Sequence, residues 1–258
     1  MIEILICGLD EAGRGALIGP MVICGVVIDK KDEKKLKKIG VKDSKALTPK
    51  KREMLAKKIE KIAKSVIIMR IPACKIFTYR KKYKMKLDAL EALKMAQIID
   101  ICNADKVYVD SLGNINSKKV GKFEKLIREN LDNKKIKLIV ENYADETYPI
   151  VSAASIIAKV ERDKAIEELK KKVKFDFGVG YSHDVRSIKF LEKILKESEE
   201  PPSYIRWHWD TVESIATKLF EMGEKLQPWV YEEILGKKSW QKRIKDFFKK
   251  KEKCKEGK

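Results

Sequence analysis

The sequence predicts an α/β fold in which a mixed β-sheet carries helices on both faces. Two short apolar segments, residues 2–9 and 20–29, are rich in Ile, Val and Cys and flank a glycine-rich connection. This pattern is typical of two buried strands joined by a turn. Helical and strand-like patterns then alternate along the chain, which favours a sheet covered by helices. The 258 residues suffice for one such domain plus an appendage.

The later elements follow from apolar periodicity and from the positions of proline. Thr48 and Pro49 predict the start of a helix, because proline is favoured at the first helical position. Residues 65–71 form an apolar run that predicts a third strand, which Pro72 ends. The further predictions are a helix marked by Leu87, Leu90, Leu93 and Ile98, a strand ending at Asp110, a helix with Phe123, Leu126 and Ile127, a strand from Ile136 to Val140, a long helix from Pro149 to about Val173, and a helix around Ile188, Leu191 and Leu195.

A change of composition at residues 199–202 (Glu-Glu-Pro-Pro) predicts a domain boundary. We expect a main α/β domain at residues 1–200, a helical C-terminal region at 201–236 and a basic tail at 237–258. The tail holds eleven Lys and Arg against three Asp and Glu. Such a terminus is typical of segments that contact partners.

The charge of the whole chain points to a polyanionic partner. Lys and Arg number 58 against 39 Asp and Glu, which gives a formal net charge of +19. Nucleic acid is the first candidate for such a basic protein. The alternative is a lysine-rich surface that is merely solvated.

The cysteines and the N-terminus indicate a reduced, cytoplasmic protein. The five cysteines contain no Cys-x-x-Cys pair, and the two histidines are too few for a zinc cluster at the usual spacing. No apolar run approaches the roughly 18 residues that a membrane span requires. The short apolar run after Glu3 leads into two acids and is a poor secretory signal. We therefore expect neither membrane insertion nor export.

Acidic residues lie at the ends of three predicted strands. Asp10 and Glu11 come where the first strand ends, Asp110 ends another, and Asp145 follows a third. These acids could meet at the carboxyl edge of one sheet, the usual place for a site in open α/β folds. Converging carboxylates require a cation, and two Mg²⁺ or Mn²⁺ ions roughly 4 Å apart catalyse phosphodiester cleavage. The alternative is that each Asp caps the following helix or turn.

Two further patterns suit a nucleic-acid backbone. Gly13-Arg14-Gly15 permits close approach of the main chain to a phosphate or sugar, although any tight turn can have this composition. The long helix carries a polar stripe formed by Ser152, Ser155, Lys159 and Arg162. The stripe either follows phosphates or consists of serines bonded back to the helix beside a solvated Lys and Arg edge.

Together these motifs resemble the type 2 ribonucleases H, the ribonuclease HII family of the archaeal kind. The resemblance covers most of residues 1–215, in family order. The matching stretches are GLDEAGRG (8–15), IGPMV (18–22), VKDSKAL (41–47) with Arg52, VYVDS (107–111), ADETYPIVSAASIIAKVERD (144–163) and GVGY (178–181).

The resemblance implies a ribonuclease H-like, mixed five-stranded sheet flanked by helices, with a helical C-terminal region. It implies a metal-dependent endonuclease that acts on RNA paired to DNA and on ribonucleotides embedded in duplex DNA, leaving 5′-phosphate and 3′-hydroxyl ends. The family's catalytic and metal-binding acids match Asp10, Glu11, Asp110 and Asp145, with two divalent ions expected. The expected substrate contacts are Gly13, Arg14 and Gly15 at the ribose 2′-hydroxyl, Tyr181 at the RNA–DNA junction, and Lys45, Ser155, Lys159 and Arg162 along the strands.

The chain departs from the family pattern at a few positions, and rival functions differ in what they predict. Residues 79–86 (YRKKYKMK) replace a less basic loop, which leaves substrate preference open. A non-catalytic nucleic-acid binder on the same fold predicts a damaged acid set, but all four positions carry carboxylates. A type 3 ribonuclease H carries a substrate-binding domain before the core, which is not expected here with the first acid at Asp10. We expect a monomer.

The basic tail contains a pattern that looks like the peptide by which replication proteins dock on a sliding clamp. It reads Gln-x-x-Ile-x-x-Phe-Phe, formed by Gln241, Ile244, Phe247 and Phe248. The three apolar residues fall on one side of a single helical turn, which suits docking into a groove of a partner. The alternative is a terminal helix that folds back on the chain itself.

Overall fold

A computed structural model describes residues 3–41, 47–111 and 116–236. Its centre is a five-stranded sheet with the order β3-β2-β1-β4-β5. β1, β4 and β5 run parallel, whereas β2 is antiparallel to both of its neighbours. The predicted mixed sheet is therefore confirmed. The strands are β1 (Leu5–Ala12), β2 (Met21–Asp29), β3 (Ser65–Ile71), β4 (Lys106–Asp110) and β5 (Lys137–Glu141).

The described helices include every helix that periodicity predicted, together with short ones that it did not. α1 and α3 were not predicted, because each is short, carries four lysine or arginine residues and buries only one or two apolar side chains. The helices are α1 (Glu33–Ile39), α2 (Pro49–Ile62), α3 (Ala73–Lys82), α4 (Leu87–Cys102), α5 (Ser117–Asn130), α6 (Ala144–Thr147), α7 (Pro149–Val173), α8 (Val185–Glu197), α9 (Asp210–Glu221) and α10 (Pro228–Val230), with a 3-10 turn at Lys30–Asp32 and a π-helical turn at Tyr231–Leu235.

The first strand extends farther than predicted. The apolar pattern predicts an end at residue 9, before the acids, but β1 continues to Ala12, which pairs with Val22 of β2. Asp10 and Glu11 therefore lie inside the strand. Pairing with a fully buried partner strand stabilises this extension although it carries two carboxylates.

Helices cover both faces of the sheet, as predicted. Apolar residues of β1 and β2 pack with α1, α2 and the first part of α7 in one cluster. On the other face Gly25 of β2 lies against Ile98 of α4, and α4 packs with α5. Gly8 allows α7 to approach β1 directly, because a Cβ atom there would lie 2.5 Å from the carbonyl carbon of Ile150. This contact places the start of α7 two residues from Asp10.

The chain divides into two compact units. The first comprises residues 1–14 and 20–168 and contains the whole sheet. The second comprises Gly15–Gly19 and, among the described residues, 169–236. The domain boundary predicted at residue 200 stays a prediction.

The second unit is built around a short segment and a group of aromatic side chains. Ile18 forms an isolated antiparallel bridge with Ile205, and the buried guanidinium of Arg206 donates to the Gly19 carbonyl. Trp207 and Trp229 pack edge to face with centroids 4.7 Å apart. Within the described ranges of both units, no helix is long and apolar enough to cross a bilayer.

Candidate active site

The two acids of β1 are in contact through their side chains, and each also has partners on a helix. Asp10 accepts a hydrogen bond from the Ser155 hydroxyl of α7, and Lys159 Nζ donates to the same Ser155 oxygen at 2.6 Å. Glu11 interacts electrostatically with the buried Glu91 of α4. Asp10 thus has a hydroxyl and an ammonium group beside it, whereas Glu11 is close to another carboxylate.

Asp110 and Asp145 are placed by the ends of the two neighbouring parallel strands. Asp110 is the last residue of β4, and its Oδ1 accepts the Ala144 N–H at 2.8 Å. Tyr143 before it has the left-handed φ of +57°, a conformation that costs a non-glycine residue energy and that often occurs at functional sites. This turn starts α6, which carries the buried Asp145. Asp145 therefore lies on a short helix four residues after β5, not at the strand end itself.

The four carboxylates lie within electrostatic reach of one another. Burial raises the pKa of Asp10, the charge of Asp145 raises it further, and Ser155 and Lys159 oppose the shift. Burial also raises the pKa of Glu11 well above its usual value, with additional contributions from the charges of Glu91, Asp10 and Asp110. Ionising this group of acids is therefore costly unless a cation compensates their charge.

The donor chemistry of this group suits a hard divalent ion. Glu11 Oε2 is buried and accepts no hydrogen bond. Carboxylate oxygens are the ligands that Mg²⁺ and Mn²⁺ prefer. In the part of the chain that the structure describes, no three Asp, Glu, His or Cys side chains form a ready-made metal cluster. The acids are grouped at one edge and fit the expected ions by type, while the two-ion site stays a prediction.

Glu91 is a buried acid at this edge that the sequence reasoning missed. Its Oε2 accepts from Arg14 Nε at 2.7 Å, and Asp88, one turn earlier on α4, binds the Arg14 Nη2. Burial raises the pKa of Glu91 to about 7, although Arg14 opposes the shift. Asp88 and Glu91 are one turn apart on α4, but the helix also carries Lys94, Gln97 and Asp100, so its sequence does not mark Glu91 as a buried acid.

Three of the four residues of the polar stripe of α7 are buried, and the fourth, Lys159, is half-buried. Exposure is at most 4% for Ser152, Ser155 and Arg162. The alternative of a solvated edge is therefore wrong for Arg162. The alternative of a serine bonded back to the helix carbonyls is wrong for Ser152, because its Oγ has no hydrogen-bond partner. Arg162 packs on Gly13, which has a φ of +80° and where a Cβ atom would lie 2.5 Å from Arg162 Nε. Glycine is therefore required at position 13.

Some predicted site residues lie outside the described residues. They are Lys45 and the tail residues Gln241, Ile244, Phe247 and Phe248. Arg52, from the same matching stretch as Lys45, contacts Asp163 of α7 with Nη2 and Oδ2 2.8 Å apart.

Gly15 and Tyr181 both belong to the second unit. Main-chain hydrogen bonds connect the two segments that carry them. The amides of Leu17 and Ile18 donate to the Gly180 carbonyl at 2.8 and 3.1 Å. Tyr181 follows directly, and its ring stacks on His183 with centroids 5.4 Å apart. Ser187 Oγ accepts the Gly180 N–H, which fixes the loop before the tyrosine.

Comparison with known proteins decides the family. The family model described as Ribonuclease HII matches residues 7–212. The chain belongs to the ribonuclease HII family. Ribonuclease HII of Methanosarcina acetivorans is 41% identical over 228 residues, covering 86% of this chain and 100% of the relative.

Solved structures agree with this membership. Ribonuclease H2 from Pyrococcus horikoshii OT3 is 38% identical with a TM-score of 0.74, and the match covers 84% of this chain and 99% of that one. The PCNA:RNase HII complex from Archaeoglobus fulgidus matches at 36% identity and a TM-score of 0.70, covering 81% and 96% of the two chains. The ribonuclease H-like fold and the enzyme class, a ribonuclease H that acts as an endonuclease, are confirmed for this chain.

Proposed function

We propose that this ribonuclease HII hydrolyses the RNA strand of RNA–DNA hybrids and cuts duplex DNA at embedded ribonucleotides, leaving 5′-phosphate and 3′-hydroxyl ends. The observation that carries the proposal is the group of four carboxylates at the carboxyl edge of β1 and β4 and on α6. A net charge of +19 suits a polyanionic substrate.

Each acid has a task in this proposal. Asp10, Glu11, Asp110 and Asp145 are the residues that would hold two divalent ions, Mg²⁺ or Mn²⁺, and such ions supply water activation and leaving-oxygen stabilisation. Ser155 and Lys159 keep Asp10 oriented, since the hydroxyl donates to its carboxylate and the ammonium group lies behind the hydroxyl. The Ala144 amide orients Asp110 in the same way.

The remaining residues of the proposal position the substrate. Gly13, Arg14 and Gly15 are assigned to the ribose 2′-hydroxyl, the group that distinguishes RNA from DNA. The half-buried ring of Tyr181 is assigned to stacking at the RNA–DNA junction. Lys45, Lys159 and Arg162 are assigned to the strands, whereas the contact of Ser155 with Asp10 supports a role within the acid group.

A sliding clamp is proposed as the protein partner. The relative from Archaeoglobus was solved in a complex with PCNA. The tail of this chain carries Gln241, Ile244, Phe247 and Phe248 at the spacing of an anchor helix. We also propose that the chain acts as a monomer in the cytoplasm, with the catalytic domain at residues 1–200.

The test is a cleavage assay on matched duplexes. The full chain is incubated with duplexes that carry one ribonucleotide, several ribonucleotides or none, with Mg²⁺, with Mn²⁺ and with a chelator. The proposal expects metal-dependent cuts only where RNA is present, and end-group mapping that finds 5′-phosphates. Binding of the hybrids without cleavage under every condition would favour the non-catalytic binder instead.

A further inference from the structure

The basic segment, residues 75–86, is a charged surface that the proposed function leaves unassigned. Its sequence KIFTYRKKYKMK contains six cations, three aromatic residues and no acid. It comprises most of α3 and the loop that leads into α4. Lys81, Lys82, Lys84 and Lys86 are all exposed to solvent.

Aromatic rings organise the cations of this segment. Lys81 Nζ lies 5.1 Å from the ring centroid of Phe77, and Lys82 Nζ lies 5.6 Å from that of Tyr83. The rings of Tyr79 and Tyr83 pack with centroids 5.7 Å apart, and the Met85 amide donates to the Tyr79 carbonyl. Cation–π contacts of this kind restrain long side chains, so less conformational entropy is lost when the ammonium groups bind an anion.

The basic segment directly precedes α4, the helix that carries Asp88 and Glu91 beside the group of acids. α4 begins at Leu87, and its second residue, Asp88, binds Arg14. Two residues span at most about 7 Å of chain, so the main chain of Lys86 lies close to that of Asp88, which binds Arg14. A polyanion that reaches Arg14 is therefore close to Lys86 and Lys84 of the loop. Lys82 and Lys81, in the last turn of α3, come next along the chain.

We propose that the basic segment binds the phosphate backbone of the duplex beside the cleavage position. The ten residues of α3 extend over about 15 Å at 1.5 Å per residue, which corresponds to roughly four base pairs at 3.4 Å each. Within a paired duplex the bases are stacked, so we assign the contact to phosphates, with the rings as supports for the lysines. The inference rests on the proposed hybrid substrate and adds a flanking contact to it.

The test compares two sets of four lysines in the same unit. The first variant is Lys81→Gln/Lys82→Gln/Lys84→Gln/Lys86→Gln. The matched control, Lys50→Gln/Lys57→Gln/Lys58→Gln/Lys61→Gln, removes four exposed lysines from α2. Affinity is measured in chelator over a range of salt, on hybrids of about 8 and about 24 base pairs, shorter and longer than one duplex turn.

We expect the first variant to bind the long hybrid at least tenfold more weakly, with a log–log salt slope reduced by up to about 3.6, since each of the four lost phosphate contacts removes about 0.9. The control should change the slope by less than about 1, and replacing the four lysines of the segment by arginine should keep wild-type affinity. Cleavage at saturating hybrid should be unchanged, and circular dichroism melting confirms folding.

Two outcomes separate the two proposals. Equal slopes for the two glutamine variants, with a wild-type chain that cuts hybrids, would overturn the assignment of the basic segment and leave the proposed function intact. A selective loss of slope in a chain that never cuts would reject the proposed function and keep this binding surface.

Discussion

Arg14 and Glu91 form an ion pair in which the carboxylate is completely buried and the guanidinium is 30% exposed, with Nε and Oε2 2.7 Å apart. Burial opposes the charge on Arg14, but Glu91 and Asp88 more than compensate and raise its pKa. The pair ties the Gly-Arg-Gly segment to α4. The same carboxylate is one of the charges that raise the pKa of Glu11. Glu91 therefore links Arg14, a proposed substrate contact, with the group of acids.

We predict that Arg14→Gln destabilises the chain more at pH 8 than at pH 5. Removing one partner of a buried pair leaves an uncompensated charge, which costs about 3 kcal/mol or more. At pH 5 Glu91, with a pKa of about 7, is largely protonated, so the loss there is smaller. Urea unfolding at both pH values measures the difference. The double variant Arg14→Gln/Glu91→Gln should recover most of the loss at pH 8, and no recovery would mean that the pair is not coupled.

Stability without added metal should fall as the pH rises from about 4.5 to about 7. Burial raises the pKa of Asp10, Glu11 and Glu91 in the folded chain. A carboxyl group with a raised folded pKa stabilises the fold when protonated, and that contribution is lost as pH rises through the folded pKa. For Glu91, with a pKa of about 7, the difference from the usual value corresponds to roughly 3 kcal/mol. Glu91→Gln should flatten the curve of unfolding free energy against pH. A curve with the wild-type slope in that variant would contradict the assignment.

Saturating Mg²⁺ should offset this loss at neutral pH. A ligand at 100 times its Kd stabilises the folded state by about 2.7 kcal/mol. We expect the melting temperature to rise with Mg²⁺ in the wild-type chain but hardly at all in Asp10→Asn/Asp110→Asn. An equal rise in both would show that the ion binds elsewhere.

Asp10→Asn and Asp110→Asn should each lower cleavage by roughly 100-fold or more, since second-shell changes alone cost 10–100-fold. Hybrid binding should persist, because phosphate contacts supply much of the affinity. Asp132→Asn, at an exposed acid after α5, is the matched control and should cleave normally. Normal turnover by both Asp10→Asn and Asp110→Asn would show that these two acids are not needed for cleavage.

The acids could be predicted from the sequence because Asp10 and Glu11 lie near the end of an apolar strand, Asp110 ends another and Asp145 follows a third. Parallel pairing of β1 with β4 and of β4 with β5 then brings their carboxyl ends to one edge. The exact positions were harder to predict. The main chain of β1 pairs with β2 beyond Leu9 although Asp10 and Glu11 are charged. Asp145 lies on the short helix α6, which starts after the left-handed residue Tyr143.

The helices that the sequence did not predict have a composition typical of solvent-exposed segments. α1 and α3 are short and rich in lysine, and each buries only one or two apolar side chains. Glu91 escaped because an acid on an amphipathic helix normally faces water. Its burial depends on Arg14, 77 residues away along the chain, and no local pattern predicts so distant a partner.

Tyr181→Ala should weaken discrimination at an isolated ribonucleotide more than it weakens binding of long hybrids. A stacked base contributes about 1–3 kcal/mol, so a loss of about tenfold or more at the single-ribonucleotide site is expected. Cleavage rates on the two substrates measure this ratio. Tyr181→Phe keeps the ring and should keep the ratio. Equal losses on both substrates with a lower melting temperature would instead make the residue a support of the second unit.

The tail motif should anchor the chain to a sliding clamp through its two phenylalanines. Phe247→Ala/Phe248→Ala should weaken binding to the cognate sliding clamp by about 100-fold or more, because buried anchor residues often contribute 2 kcal/mol or more each. Isothermal titration calorimetry with the full chain measures the affinity. Hybrid cleavage in the absence of the clamp should stay unchanged, since the two phenylalanines follow residue 212, where the family match ends.

Lys250→Ala/Lys251→Ala is the matched control within the tail, since it removes two cations and leaves the anchor spacing intact. If the anchors bind a groove, this control should lose little affinity, and the small loss should shrink further at high salt because screening weakens contacts between exposed charges. Equal losses in the two double variants would mean that the clamp recognises only the tail's positive charge. No binding by the wild-type chain would assign Ile244, Phe247 and Phe248 to a helix that packs on this protein itself.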